Sequence, residues 1–138
     1  MAIPFATDEW VKALQGKIND SQGYREAAKT WEGDFYFVIN AGDGIAEDTY
    51  LYLDLWHGQC RDAYQVANPA EKSPAFELSA PLKVWRGVLE KKIDPIRGLM
   101  TRQLKLKGNM MKIMKVPKAA TELVECATRV DTGWPGEG

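Results

Sequence analysis

The apolar positions change period along the chain, and each change marks a new kind of element. Trp10, Val11, Leu14 and Ile18 recur at helical spacing behind Thr7, which suits an N-cap with Asp8 and Glu9 in the first turn. Ser21 reads as a second cap, for a short helix through about Thr30. Phe35, Phe37 and Ile39 then alternate with Tyr36 and Val38, the period of a strand. Asn40-Ala41-Gly42-Asp43-Gly44 supplies residues that tolerate the positive φ angles of a tight turn. The return strand puts Leu51, Leu53 and Leu55 on one side and Tyr50, Tyr52, Asp54 and Trp56 on the other. His57-Gly58-Gln59 turns into a third strand, roughly Cys60–Ala67, closed by Asn68-Pro69. A fourth strand around Phe76–Leu78 extends what reads as an antiparallel meander plus one.

From Ser79 the helical period returns. Pro81 suits a first helical turn, and Leu82, Trp85, Val88 and Leu89 share a face. Asp94-Pro95 is a cap followed by a first-turn proline, opening a short helix to about Thr101. Gln103–Lys107 alternates strictly, with Leu104 and Leu106 on one side and Lys105 and Lys107 on the other. Gly108-Asn109 turns the chain into Met110–Lys115, and Pro117 opens a last helix carrying Ala120, Leu123, Val124 and Ala127. Residues 132–138 read as a frayed tail. Helices, then strands, then helices with one late strand describe an α+β fold.

Composition narrows the class. The 138 residues are 45% apolar and 27% charged, which fits one globular domain, residues 1–138, with its own core and excludes a disordered chain. The longest runs free of Asp, Glu, Lys and Arg are eight residues, at 35–42 and 63–70, against the roughly 20 that a spanning helix needs. The two cysteines have no partners at metal-ligand spacing, and the opening residues lack the pattern of a secretory signal, so a cytoplasmic protein with reduced thiols is expected. A net charge of −1 argues against nucleic acid as a partner. The charge is unevenly spread. Residues 95–121 hold Arg97, Arg102, Lys105, Lys107, Lys112, Lys115 and Lys118 and no acid, so +7, which leaves −8 for the remainder. A solvated face is the default for such a stretch; the alternative is a docking strip for anionic lipid.

Catalytic chemistry finds little support. His57 is the only histidine and lies three residues from Cys60, but no motif surrounds the pair, and a turn histidine is the commoner reading. Asn40, Asp43, Glu47 and Asp48 offer oxygens around a glycine turn, yet the spacing does not follow a calcium loop. No cofactor and no metal is implied. The methionines stand out more: Met100, Met110, Met111 and Met114 fall within fifteen residues, beside Leu99, Leu104, Leu106 and Ile113. Methionine packs adaptably, so the cluster either fills gaps in a core or lines a deformable pocket.

The run Trp85…Leu89…Ile93-Asp94-Pro95…Leu99-Met100…Leu104-Lys105-Leu106-Lys107-Gly108-Asn109-Met110 resembles the signature of the sterol carrier protein 2 (SCP2) family. The resemblance implies an SCP2-like fold: a five-stranded, mostly antiparallel sheet with helices covering one face and enclosing an apolar tunnel. It implies non-enzymatic binding and transfer of fatty acids, fatty acyl-CoAs, sterols or phospholipids. In that reading Leu104 and Leu106 form one wall with Phe37, Leu53 and Leu55, while Trp85, Leu89 and Met100 form another. Met110, Met111, Ile113 and Met114 make a deformable lid, and Leu123 and Val124 close the end. Arg102, Lys105, Lys107, Lys112 and Lys115 guide the mouth toward anionic head groups or a membrane surface in transient contact. Lys91 and Arg102 stand where the family usually has glycine, so the loops at those points are expected to differ. The competing reading is an interaction or accessory module with a solid core, forming a homodimer through the aromatic sheet face of Tyr36, Tyr50, Tyr52, Trp56 and Tyr64.

Overall fold

The computed structural model describes residues 2–135. In chain order the elements are β1 (Ile3–Pro4), α1 (Asp8–Asn19), α2 (Gln22–Ala27), β2 (Glu32–Asn40), β3 (Thr49–Trp56), β4 (Gln59–Val66), β5 (Phe76–Pro81), α3 (Leu82–Leu89), α4 (Pro95–Met100), β6 (Lys105–Lys107), α5 (Met110–Met114), α6 (Pro117–Thr128) and β7 (Thr132–Gly133). The helix starts follow local chemistry. Side-chain oxygens of Thr7, Ser21, Asp94 and Asn109 each accept from a backbone N–H three residues on, satisfying donors that a first turn leaves open.

The five long strands form one sheet in the order β4-β3-β2-β5-β6. All neighbours are antiparallel except β2 and β5, which run parallel from Phe35 opposite Phe76 to Asn40 opposite Pro81. The fourth strand is thus the one added to the three-stranded meander, and it enters parallel to β2. After β4 the chain crosses the outer face, through a 3-10 turn at Pro69–Glu71, and enters on the far side of β2. The register sorts the side chains into two faces. Ala63, Leu53, Phe35 and Phe76 align in one row, and Leu51, Phe37, Leu78 and Leu106 in the next, both turned to the helices. Tyr64, Tyr52, Tyr36, Glu77 and Lys107 form a row on the opposite face.

That outer face is largely covered by the chain itself. Tyr36 and Tyr52 are buried there with Val38 and Val66, while Tyr50 and Tyr64 are half-buried. The Tyr36 hydroxyl donates to the Pro69 carbonyl at 3.1 Å and accepts from the Lys72 N–H at 3.0 Å, pinning the crossover loop. Lys72 lies 5.0 Å over the Tyr52 ring. The tyrosines thus hold a loop of their own chain, while Trp56 stays exposed beneath Arg61.

The tail also departs from expectation. Thr132–Gly133 pairs in parallel with Ile3–Pro4, Thr132 Oγ1 accepts from the Trp10 indole at 2.9 Å, and the Trp134 ring packs tilted against Phe5 at 4.7 Å between centroids. The rest of the expected tail, residues 136–138, lies outside the described residues. Among the described residues no helix is long and apolar enough to cross a membrane.

Candidate functional site

Helix α6 packs chiefly against the other five helices, with the sheet lying beyond them. Between α6 and the inner sheet face is a cavity of about 110 Å³. The sheet contributes Phe35, Phe37, Ile39, Leu51, Leu55 and Leu78 to its wall, and α6 contributes Ala119, Ala120, Leu123, Val124 and Ala127. Phe5, Trp10 and Leu14 line one part; Trp85, Val88, Leu89, Pro95 and Leu99 another; Trp31, Leu104, Ile113 and Val116 a third. Tyr24 completes the lining, in which none of the described residues carries a charge. The small side chains of α6 explain the hollow: alanines at 119, 120 and 127 present little bulk to the large sheet aromatics opposite.

Of the side chains assigned to a lipid site from sequence, eight line this cavity: Phe37, Leu55, Trp85, Leu89, Leu104, Ile113, Leu123 and Val124. Leu53 faces the same way but is sealed in solid core at 0% exposure. Leu106, Met110 and Met114 are half-buried against the core without reaching the cavity wall. Met100 and Met111 point outward, 71% and 66% exposed. The reason is helical geometry. Leu99 takes the inward position of α4, which turns the next residue about 100° away, and Ile113 takes that of α5, leaving Met111 about 200° round. The wall residues missed from sequence come from both ends of the chain, among them Phe5, Trp10, Tyr24 and Trp31 and the alanines of α6. The stripe that holds Trp10 and Leu14 was visible, but periodicity does not separate a residue that fills a core from one that borders a void.

The expected cations are dispersed. Arg102 and Lys115 are exposed. Lys105 and Lys107 lie on the edge strand with side chains toward the outer face, Lys107 3.5 Å from Glu77. Lys112 lies outside the cavity lining, packed over Trp31. Its ammonium donates to the Glu32 carbonyl and lies over the rings of Trp31 at 5.0 Å and Phe76 at 5.8 Å. Lys91 and Arg102 both hold left-handed backbone, φ 62° and 63°, the conformation glycine takes most readily.

His57 and Cys60 serve structure. His57 and Gly58, both at positive φ, form the two-residue turn between β3 and β4. A Cβ on Gly58 would lie 2.7 Å from the Arg25 carbonyl, so the close approach of α2 demands glycine there. His57 Nε2 meets Glu32 Oε2 at 2.6 Å. The Cys60 thiol is buried, donates to the Asp62 carbonyl at 3.3 Å, and burial pushes it up to about 12, the reverse of an activated nucleophile. Burial likewise raises Cys126. In the β2–β3 turn, Asp48 accepts from the Ala41 N–H at 2.8 Å and so braces the hairpin.

The sequence profile of the SCP-2 sterol transfer family matches residues 8–121. No curated relative matches the chain. Among solved structures, the crystal structure of a sterol carrier protein 2 is 36% identical with a TM-score of 0.82, covering 91% of this chain and 98% of that one. The solution structure of a conserved hypothetical protein, possibly a sterol carrier protein, from Thermus thermophilus is 35% identical with a TM-score of 0.85, covering 99% and 96%. The apo sterol carrier protein 2 of Yarrowia lipolytica, at 21% identity, shares the fold, with a TM-score of 0.59 over 86% of this chain and 88% of that one. Profile, topology and the five-stranded sheet agree over most of the chain, and the protein belongs to the SCP-2 sterol transfer family.

Proposed function

We propose that this chain is a non-catalytic carrier that takes up the apolar part of a lipid in the cavity beneath α6 and hands it between membranes. The observation that carries the reading is the wall itself: aliphatic and aromatic side chains on every side and no charged group. An apolar hollow of this order stays dry and accepts apolar guests, because water inside would find too few partners. Each methylene moved there from water contributes about 0.8 kcal/mol. At 110 Å³ the closed form holds only a short stretch of chain, so a longer lipid requires the region around α5 to yield. The half-buried Met110 and Met114 suit that, since unbranched thioethers repack with little strain. Fatty acids, acyl-CoAs, sterols and phospholipids are the candidate ligands, and a cavity read by shape alone separates neighbouring chain lengths poorly.

Transfer also requires a surface that meets the bilayer. Met100 and Met111, the two most exposed large apolar side chains among the described residues, belong to the stretch 95–121 that has seven cations and no acid. Apolar tips among cations fit the interface of an anionic membrane.

The test is native mass spectrometry of the freshly purified protein, followed by organic extraction. Co-purified lipid, displaceable by a fluorescent fatty acid, is the expected result. An empty protein that leaves the probe unbound at tens of micromolar would overturn the reading.

A further inference from the structure

Among the described residues, Tyr24 carries the only hydroxyl on the cavity wall. The other hydrogen-bonding side chains there are the indoles of Trp10, Trp31 and Trp85, and each donates within the protein, to Thr132 Oγ1, the Gly33 carbonyl and the Val38 carbonyl. The Tyr24 backbone N–H donates to Ser21 Oγ, but its phenol oxygen has no hydrogen-bond partner among the described residues. The residue is only 2% exposed. No side-chain oxygen or nitrogen among the described residues is sealed from open space without a hydrogen bond, so this hydroxyl borders open space. The thiols of Cys60 and Cys126 lie near enough to act on it electrostatically, yet each is engaged elsewhere, with the Asp62 carbonyl and with Ser21. An unpartnered hydroxyl in apolar surroundings is costly, which makes it informative.

We propose that the Tyr24 hydroxyl opens into the cavity and anchors the ligand there, hydrogen-bonding a neutral oxygen, hydroxyl or carbonyl, on an otherwise apolar molecule. This deepens the lipid-carrier reading and rests on it. The chemistry selects a neutral group. An ionised carboxylate brought to this point would lose its hydration with no cation on the wall to replace it, and one phenol does not offset that loss. Burial holds the phenol well above its ordinary range, so it remains a donor at physiological pH. A fatty acid therefore keeps its carboxylate at the mouth, whereas an alcohol, ketone or ester enters oxygen-first.

The test is Tyr24→Phe, which removes one oxygen and leaves the ring in place. Calorimetry with decanol, decanone and decane on both proteins separates the anchor from the apolar wall. The expected result is affinity for decanol and decanone lowered about tenfold in Tyr24→Phe, with decane unchanged. In infrared spectra, the carbonyl band of bound decanone moves to higher frequency in the variant. Without ligand, Tyr24→Phe melts at or above the wild-type temperature, because no internal hydrogen bond is lost. Equal affinities of the two proteins for all three ligands would overturn the anchor and leave lipid carriage standing. A large fall in melting temperature would mean that the hydroxyl is already paired inside the protein, and would overturn it too. If wild type binds none of the three, the carrier reading fails and the anchor falls with it.

Discussion

Lys91 and Arg102 end their helices in a way that side chains resist. Each follows a helix C-cap, and its N–H returns to the carbonyl three residues back: Lys91 to Val88 at 3.1 Å, Arg102 to Leu99 at 3.3 Å. After α3 the next N–H, of Lys92, reaches Gly87 at 2.8 Å, completing the pair of bonds that closes a helix through a left-handed residue. A Cβ in that conformation crowds the following carbonyl. Arg102→Gly relieves the crowding but frees the unfolded chain, so the net gain expected is about 0.5–1 kcal/mol, read as a higher denaturant midpoint. Lys91→Gly gains less, because it also removes the exposed ion pair with Glu125. The sequence marked both positions as unusual, but as loops that differ. Only φ reveals that these residues tolerate glycine's own conformation. Met100 and Met111 teach a similar lesson. Methionine density suggested a deformable pocket lining, yet no methionine reaches the cavity wall, and the phase of two very short helices, set by Leu99 and Ile113, turns Met100 and Met111 outward.

Elements with a full period were legible from sequence, and those that depend on distant pairing were not. α1, β3 and α6 each carry enough apolar repeats to declare themselves, and the inner face of the sheet follows from alternation alone. β2 begins at Glu32, earlier than its hydrophobic run, because Glu32-Gly33-Asp34 is held by pairing with Asp54-Leu55-Trp56. β7 has two residues and exists only against β1. The parallel entry of β5 depends on a crossover that Tyr36 secures from the middle of the sheet. α5, five residues long, is likewise held from outside, through Lys112 on Glu32, Trp31 and Phe76. Lys112→Met keeps the aliphatic stem and removes the charged donor. It is expected to cost about 1–2 kcal/mol of stability and to speed release of a bound fluorescent fatty acid several-fold in stopped flow. Destabilisation with an unchanged release rate would mean that α5 does not gate the cavity.

Along the sequence the cations and acids are segregated, and this bears on how the proposed carrier finds a membrane. Residues 95–121 are at +7 within a chain of net −1, so the protein as a whole feels little attraction or repulsion at a charged surface, and any attraction must come from this stretch. Lys107 lies near Glu77 and Lys112 is held by the Glu32 carbonyl, which leaves Arg102, Lys105, Lys115 and their neighbours as the cations open to the proposed contact with lipid phosphate. Raising ionic strength from about 0.1 M to about 1 M shortens the screening length from about 10 Å to about 3 Å. Binding to vesicles containing anionic lipid is therefore expected to weaken steeply with salt, whereas a neutral phosphatidylcholine vesicle captures little protein at either end. Met100→Ser with Met111→Ser should leave the salt dependence in place while lowering the bound fraction severalfold, because the two exposed thioethers supply the apolar part of the contact and the cations the long-range part. Co-sedimentation across a salt series reads both effects at once. If the double variant binds as wild type does and Lys115→Glu with Lys118→Glu also changes nothing, the docking surface lies elsewhere, and the cavity must exchange its ligand without help from the basic strip.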